Sequence, residues 1–314
     1  MDPTPPLIAR GLRKRYRGTA ALDGFDLEAG PGIHGLLGAN GAGKSTAVNV
    51  FTTLTLPDAG EAWVAGHEVR ADPRAVRRAI GLVGQAHAVD EVLGGRQNLV
   101  MFARLFGLGA RAAKERADEQ LERFDLTEAA GRAVSGYSGG MRRRLDIAVA
   151  LLLDPAVLFL DEPTTGLDPR ARNEVWRAVR EVADRGTTVL LTTQYLDEAD
   201  QLAARISVMD AGRVIAEGTP AELKSAIGGD RIRATPRDPE QLTRSAAVLE
   251  EAMGTPAIED LEAGTVTVSA RAGLASLASA LRALDTARID LADLELRRPT
   301  LDDAFLALTD TETA

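Results

Sequence analysis

Short apolar runs alternate with amphipathic segments along the first two thirds of the chain. Apolar runs predict strands, and apolar residues that recur every three or four positions predict helices. The predicted strands cover residues 7–9, 21–27, 32–37, 156–160, 188–192 and 206–210. Helices are predicted over residues 43–53, 171–185 and 196–203. Because strands that alternate with helices form parallel sheets with covered faces, this pattern predicts an α/β domain with a parallel-sheet core.

Between residues 74 and 153 the pattern is mostly helical. Apolar residues recur at helical spacing over residues 98–107, 111–124 and 138–153, which predicts three helices. We interpret this stretch as a helical subdomain, covering about residues 86–153, that is inserted into the α/β domain.

A domain boundary is predicted near Gly228 and Gly229, which follow the last helix of the α/β domain. Beyond them the pattern is strand, helix, strand, helix, strand and a final short helix, which predicts a small α+β domain. We therefore expect a first domain over residues 1–228 and an accessory or docking domain over residues 229–314. The final helix carries an apolar stripe that fits either docking or the small domain's own core: Leu301, Ala304, Phe305 and Leu308.

Composition excludes several classes of protein. The 314 residues contain no cysteine, which excludes zinc ribbons, iron–sulfur clusters, thiol catalysis and disulfide scaffolds and fits a reducing compartment. No apolar run approaches the roughly 20 residues of a membrane-spanning helix. The net charge of -9 and the lack of a long basic run disfavour nucleic acid as a partner. We interpret the short basic cluster at residues 142–144 as a solvated helix face.

A glycine-rich segment follows the apolar run at residues 32–37 and opens the predicted helix. Glycines let successive backbone N–H groups surround phosphate oxygens, and the helix N-terminus adds its positive dipole end. In this pattern the lysine reaches the outer phosphates of a nucleotide and the serine hydroxyl binds Mg²⁺. The predicted nucleotide-binding residues of this segment are Gly38, Asn40, Gly41, Ala42, Gly43, Lys44, Ser45 and Thr46.

Two acidic residues, Asp161 and Glu162, end the predicted strand at residues 156–160. This position lies at the carboxyl edge of a parallel sheet, where open α/β sheets bind ligands. Asp161 can hold a metal through water, and Glu162 can orient or deprotonate an attacking water. An acidic pair at a strand end is by itself more often a helix cap, so this interpretation depends on the phosphate-binding segment.

Three further segments add to this pattern. Ser138, Gly139 and Gly140 open a helix shortly before the acidic strand, and the run at residues 163–169 follows that strand. Together with Gln85, which matches the glutamine loop of that family, these segments resemble the ATP-binding cassette of ABC transporters over about residues 7–228. Within the family, the segments at residues 137–145, 192–200 and 298–306 resemble ATPase subunits of the daunorubicin-resistance type.

The resemblance implies a fold, a reaction and partners. The fold is a P-loop cassette with antiparallel N-terminal strands, and the reaction is ATP hydrolysis with Mg²⁺ held near Ser45, Gln85 and Asp161. Tyr16 lies where the family places an aromatic against adenine. Two copies pack head to tail, so that Ser138, Gly139 and Gly140 of one copy cap the ATP of the other. The family also implies a separate membrane permease and a cytoplasmic location on the inner face of the cell membrane.

Gln194 departs from the family, because most members place a histidine there that contacts the γ-phosphate. A glutamine amide donates a hydrogen bond but exchanges no proton near pH 7. We therefore expect Glu162 to act as the base, with Lys44 and Gln194 as the other catalytic residues.

The leading hypothesis is the ATP-hydrolysing subunit of an exporter of drug-like or lipophilic compounds. Three alternatives stay open: an exporter of polysaccharide or lipid, an ABC ATPase that acts without a membrane partner, and a nucleotide-gated protein that sequesters a drug and barely hydrolyses ATP.

Overall fold

This computed structural model describes residues 5–226, 230–270, 272–297, 300–301 and 305. The chain divides into two compact units, Met1–Pro220 and Ala221–Ala314. The predicted domain boundary at residues 228 and 229 lies outside the described residues.

Two sheets form within the first unit. The described strands are β1 (Leu7–Tyr16), β2 (Thr19–Ala29), β3 (Ile33–Leu37), β4 (Ala59–Val64), β5 (His67–Glu68), β6 (Ile80–Val83), β7 (Val157–Asp161), β8 (Thr188–Thr193), β9 (Arg205–Asp210) and β10 (Arg213–Gly218). One sheet has the order β2-β1-β4-β5 and is antiparallel throughout. The other has the order β10-β9-β3-β8-β7-β6, in which β10 alone pairs antiparallel. The predicted parallel core and antiparallel N-terminal strands are thus confirmed.

The helices of the first unit connect these strands. Those described are α1 (Lys44–Phe51), α2 (Pro73–Ala79), α3 (Gly95–Leu105), α4 (Ala110–Arg123), α5 (Gly139–Ala150), α6 (Pro169–Asp184) and α7 (Leu196–Leu202), followed by α8 (Pro220–Ala226), which begins where the units divide. Helices α3, α4 and α5 all lie between β6 and β7, in the stretch for which the sequence predicts a helical subdomain.

Strand β7 shows why the central strands are apolar throughout. Val157 and Phe159 pack into the core on the side of α1 and the antiparallel sheet. Leu158 and Leu160 pack into the core on the other side, among residues of α3 to α6. Successive side chains of a strand point to opposite faces, so a sheet covered on both faces needs apolar residues at every position. The polar residues of β7 are therefore confined to its carboxyl end.

The second unit has the order β11 (Arg231–Pro236), α9 (Leu242–Met253), β12 (Ala257–Asp260), β13 (Thr265–Ser269), α10 (Leu274–Thr286) and β14 (Leu291–Arg297). Its strands form an antiparallel sheet in the order β12-β13-β11-β14. This βαββαβ arrangement is the split βαβ, or ferredoxin-like, motif. The sequence pattern misses β12, because its residues are mostly exposed and two of its four side chains are acidic.

Leu301 and Phe305 of the predicted final helix are helical, and Leu301 is buried. Ala304 and Leu308 of the predicted apolar stripe lie outside the described residues. The docking role of this stripe stays a prediction.

In the part of the chain that the structure describes, no helix combines the length and apolar character needed to span a bilayer.

Candidate nucleotide-binding site

The glycine-rich segment joins β3 to α1 at the carboxyl edge of the parallel sheet. A Cβ atom on Gly38 would lie 2.4 Å from the carbonyl oxygen of Met209, and one on Gly43 would lie 2.2 Å from the carbonyl oxygen of Ala21. Gly43 also has a φ of 109°, which side chains disfavour. It stands at the N-cap of α1 without a side-chain cap. The first N–H groups of α1 therefore suit an anion.

Lys44 folds back over this segment. Its Nζ donates hydrogen bonds to the carbonyl oxygens of Gly38 at 2.8 Å and Ala39 at 3.0 Å, and lies 3.4 Å from Oε1 of Glu162. The Lys44 side chain is only 4% exposed. The ammonium group is therefore fixed between the phosphate-binding segment and the acidic end of β7.

The predicted metal-binding residues meet beside Lys44. Ser45 Oγ donates to Asp161 Oδ1 at 3.2 Å, and Gln85 Nε2 donates to Ser45 Oγ at 3.4 Å. Thr192 Oγ1 donates to the same carboxylate oxygen at 2.6 Å, which fixes the Asp161 side chain from β8. Among the described residues no three His, Asp or Glu side chains form a metal-binding group. A hydroxyl, a carboxylate and an amide suit Mg²⁺, which keeps several waters and binds phosphate oxygens at such sites.

Glu162 is held in an unusual backbone conformation, with a φ of 49°. Its N–H donates to the carbonyl oxygen of Thr192 at 3.1 Å and to the hydroxyl of Thr192 at 3.2 Å. Its carboxylate accepts from Thr165 Oγ1 at 3.4 Å and is only 10% exposed. Non-glycine residues with a positive φ are strained and persist only where their surroundings fix them.

A cavity of about 200 Å³ lies against the phosphate-binding segment. It is lined by Ala21, Asn40, Gly41, Gly43, Lys44, Ser45, Thr46, Gln85 and Glu162. The structure thus brings together most of the predicted site residues of the phosphate-binding segment, β7 and the glutamine loop. Gly38 and Asp161 do not line the cavity, but Gly38 contacts Lys44 and Asp161 contacts Ser45. Ala42 is buried within the segment.

The Ser-Gly-Gly segment lies elsewhere. Ser138 is the N-cap of α5, and its Oγ accepts the N–H of Met141 at 3.2 Å. A Cβ atom on Gly140 would lie 2.8 Å from the Cβ atom of Ala171, so this glycine allows α5 to approach α6 closely. Of the described residues, those that line the cavity do not include Ser138, Gly139 or Gly140. Within one chain these residues cap and pack a helix.

Tyr16 and Gln194 also lie outside the lining of that cavity. Tyr16, at the end of β1, is 45% exposed, and the ammonium of Lys14 lies 5.6 Å from its ring centre. Gln194 is half-buried directly after β8. The predicted contacts of Tyr16 with adenine and of Gln194 with the γ-phosphate stay predictions.

The prediction of a solvated face for residues 142–144 is wrong for Arg143, which is only 3% exposed. Its guanidinium donates to backbone carbonyl oxygens at the ends of β6 and β7. Burial lowers the pKa of Arg143 from its ordinary value. The strand ends that supply these acceptors are distant in sequence, so a local pattern of charges could not reveal the contact.

Sequence reasoning also missed Glu198 in α7, which is completely buried. Its Oε1 accepts from Thr164 Oγ1 at 2.8 Å and from Trp176 Nε1 at 2.9 Å. Burial raises the pKa of this carboxyl. Glu198 thus ties the segment after Glu162 to α6 and α7.

Comparisons with known proteins agree with this geometry. The model of the ABC transporter family matches residues 22–165. The daunorubicin resistance ATP-binding protein DrrA3 of Streptomyces coeruleorubidus is 56% identical over 300 residues, which cover 95% of this chain and 94% of that protein. The Nod factor export ATP-binding protein I of Burkholderia thailandensis is 39% identical over 98% of each chain. The solved structure of cbiO1 from Clostridium perfringens, part of the ABC transporter complex cbiONQ, has a TM-score of 0.66 and 28% identity, covering 72% of this chain and 94% of that one.

These findings confirm the fold class and the family resemblance that the sequence motifs predict. The similarity to the Streptomyces protein extends far beyond the phosphate-binding motif, over almost the whole chain. This protein therefore belongs to the ABC transporter family and is an ATPase of the daunorubicin-resistance type.

Proposed function

We propose that this ATPase is the motor subunit of an exporter and drives the efflux of a drug-like or lipophilic compound through a separate membrane permease. The observation that carries the proposal is its 56% identity, over 95% of the chain, to a daunorubicin resistance ATP-binding protein. The intact phosphate-binding segment and acidic strand end supply the machinery that such a motor needs.

The phosphate-binding segment, residues 38–46, holds the nucleotide. Backbone N–H groups of the segment and of the first turn of α1 donate to phosphate oxygens, and Lys44 neutralises their charge. Ser45, Asp161 and Gln85 hold Mg²⁺, directly or through water. The cation supplies charge neutralisation at the phosphates.

Glu162 orients and deprotonates the attacking water. Its carboxylate is mostly buried, and both the backbone and the side chain are held by hydrogen bonds. A base fixed in this way needs little reorganisation when the water attacks, which favours the transition state. Gln194 donates a hydrogen bond toward the γ-phosphate, and Tyr16 stacks on adenine.

A second copy of the chain completes the site. The support is that Ser138, Gly139 and Gly140 do not line the cavity beside the phosphate-binding segment of their own chain, as far as the described residues go. The N–H groups at the N-terminus of α5 also lie outside that cavity. They are therefore placed to meet only an anion that is bound elsewhere. We propose that ATP joins two copies head to tail, that hydrolysis releases them, and that this cycle moves a permease at the inner face of the cell membrane.

Export of a glycan or lipid is the second candidate. It is favoured by the 39% identity over 98% of the chain to a Nod factor export ATP-binding protein. The lower identity makes it the weaker of the two candidates. An ABC ATPase without a membrane partner has no comparable support.

Co-expression tests the proposal. The chain is produced with a candidate permease, chosen as a protein with about six hydrophobic spans that an adjacent gene encodes, and the pair is purified and placed in vesicles. We expect ATP-dependent transport of daunorubicin that Lys44→Ala abolishes. Co-purification with transport of a lipid-linked glycan and not of daunorubicin would favour the second candidate. Absence of any membrane partner would contradict both.

A further inference from the structure

Helix α5 begins at the Ser-Gly-Gly segment. It also contacts the backbone around Glu162 and the glutamine loop around Gln85. We propose that Arg143 and Asp146, one turn apart on α5, are positioning residues that hold Glu162 and Gln85 in place for ATP hydrolysis. The proposal rests on the roles proposed above for Glu162 and Gln85.

Arg143 collects four backbone carbonyl oxygens. Its Nε donates to Pro163 at 2.8 Å, its Nη1 to Gly84 at 2.6 Å, and its Nη2 to Asp161 and Glu162 at 3.2 Å each. Among the described residues Arg143 has no ion pair, although it is almost completely buried. A buried cation is costly unless hydrogen bonds satisfy it. The guanidinium fork is suited to several acceptors at fixed angles, so these four carbonyl groups define its site.

The contact with Glu162 bears on the strain at that residue. The N–H of Glu162 is held by Thr192 of β8, and its carbonyl oxygen is held by Arg143 of α5. The two contacts fix the peptide groups on both sides of a residue whose φ is 49°. Without the Arg143 contact, the backbone is free to relax toward negative φ, and the carboxylate moves away from its position beside Lys44.

Asp146 holds the glutamine loop from the other side. Its Oδ2 lies 2.5 Å from Nδ1 of His87, and its Oδ1 accepts the N–H of Ala88 at 3.0 Å. Asp146 itself is 4% exposed. Gln85 thus lies between Gly84, which Arg143 holds, and the two residues that Asp146 holds. One face of one helix fixes the backbone before and after Gln85.

These contacts couple the Ser138 end of α5 to Gln85 and Glu162. Residues three positions apart lie on the same face of a helix, and a helix moves as a rigid element. A shift of the Ser138 end of α5 is therefore transmitted to Gln85 and Glu162. A purely structural role for Arg143 predicts lost stability with unchanged turnover per folded molecule, whereas a positioning role predicts lost turnover in folded protein.

Arg143→Lys separates these two roles in the full-length protein. Lysine keeps the charge but replaces the fork with one flexible ammonium, which cannot reach four carbonyl groups at once. We expect kcat to fall by about 10-fold to 100-fold, the effect of misplacing a catalytic group by about 1 Å. The KM for ATP should change by less than about threefold, because the phosphate-binding segment is untouched.

Arg144→Lys is the matched control. Arg144 is the next residue of the same helix, but it contacts the carbonyl oxygen of Phe124 and the carboxylate of Glu174, away from the nucleotide-binding residues. We expect its kcat to stay within about twofold of the wild-type value.

Asp146 supplies a second test that does not depend on Arg143→Lys folding. Asparagine can accept the N–H of Ala88 and donate to Nδ1 of His87, whereas alanine does neither. We expect Asp146→Asn to retain most of the wild-type kcat and Asp146→Ala to lose it, with both assayed well below their unfolding temperatures. Equal kcat values for the two variants would contradict the proposal.

Glu162→Gln, assayed alongside, distinguishes failure of the inference from failure of the proposed function. If Glu162→Gln is inactive while Arg143→Lys keeps the wild-type kcat, the positioning role is wrong and the role of Glu162 stands. If Glu162→Gln turns over ATP normally, the proposed function of Glu162 is wrong, and the positioning proposal falls with it. A loss of kcat in Arg144→Lys equal to that in Arg143→Lys would also overturn the positioning role.

Discussion

The amide group of Gln194 limits what this residue can contribute to ATP hydrolysis. It follows directly on β8, the strand whose Thr192 fixes Asp161 and Glu162. Its amide can donate a hydrogen bond to a phosphate oxygen but carries no proton that exchanges near neutral pH. In this account the proton of the attacking water therefore goes to Glu162.

Substitution of Gln194 tests this assignment. Gln194→His should preserve or modestly raise kcat, since imidazole also donates a hydrogen bond. Gln194→Ala should raise the barrier by about 1–3 kcal/mol, as for one lost polar contact. A coupled ATPase assay over a range of ATP concentrations gives both values. Unchanged kinetics in Gln194→Ala would show that the side chain makes no contact with the nucleotide.

His34 makes the stability of the first unit depend on pH. Burial, with a smaller effect of the charge on Arg205, lowers the pKa of His34 from 6.5 to about 4. Its Nε2 lies 2.9 Å from the hydroxyl of Ser207. Between pH 6.5 and pH 4 the unfolded chain binds a proton at this residue and the folded chain does not. The contribution of neutral His34 to the free energy of unfolding is therefore complete above pH 6.5 and is lost as the pH falls to 4.

We expect this effect to reach about 3 kcal/mol, from 1.36 kcal/mol for each unit of pKa difference. The measurement is the free energy of unfolding in urea at several pH values, for wild type and His34→Gln. The fluorescence of Trp63 and Trp176 reports on the first unit, which contains both. Carboxylates that titrate in the same range cancel in the difference between the two proteins. Parallel curves for wild type and His34→Gln would contradict the prediction.

At the scale of elements, the contact between α5 and α6 depends on a glycine that sequence reasoning assigned to anion binding. Gly140 allows the two helices to meet, because a Cβ there would lie 2.8 Å from the Cβ and 3.3 Å from the Cα of Ala171. Gly136 lies one turn before α5, and a Cβ there would meet nothing closer than 3.7 Å.

Gly140→Ala should therefore destabilise the first unit, although alanine is usually the better residue in a helix. Overpacking of this kind costs about 1–3 kcal/mol. Gly136→Ala is the control and should leave stability unchanged or slightly raised. The urea concentration at half-unfolding, measured by tryptophan fluorescence, compares the two. Equal midpoints for Gly140→Ala and wild type would show that α5 and α6 separate without penalty.

The sequence predicts those elements whose characteristic pattern lies within one short stretch of adjacent residues. The apolar run of β3, the glycines after it and the start of α1 are adjacent in the chain, so their pattern alone predicts the phosphate-binding segment. Asp161 and Glu162 could be placed at the same sheet edge, because the carboxyl ends of parallel strands meet there. The pattern does not predict β12, because three of its four residues are exposed and two of them are acidic.

The buried charges could not be predicted for a different reason. Arg143 and Glu198 lie in segments rich in charged residues, and this pattern predicts exposed positions. Their partners are carbonyl groups at strand ends, a threonine and an indole, up to 59 residues away in the chain. Only the fold brings such groups together, so these positions become visible once the strand order is known.

At the scale of the whole molecule, each chain contains one phosphate-binding segment and one Ser-Gly-Gly segment, at different places on the first unit. We propose that the two segments act together across two copies, so that ATP bound to one copy is capped by α5 of the other. Lys44→Ala and Glu162→Gln affect different steps of this cycle. The first removes the charge that holds the phosphates, whereas the second keeps the phosphate-binding residues and removes the base.

The most direct test is the molar mass of both variants in solution with Mg²⁺ and ATP, by light scattering coupled to size-exclusion chromatography. Both should lack ATPase activity. Glu162→Gln binds ATP without hydrolysing it, so we predict that its mass rises from 33.2 kDa to twice that value. Lys44→Ala should stay at 33.2 kDa at the same protein and ATP concentrations. The same mass for both variants in the presence of ATP would contradict a site shared between two copies.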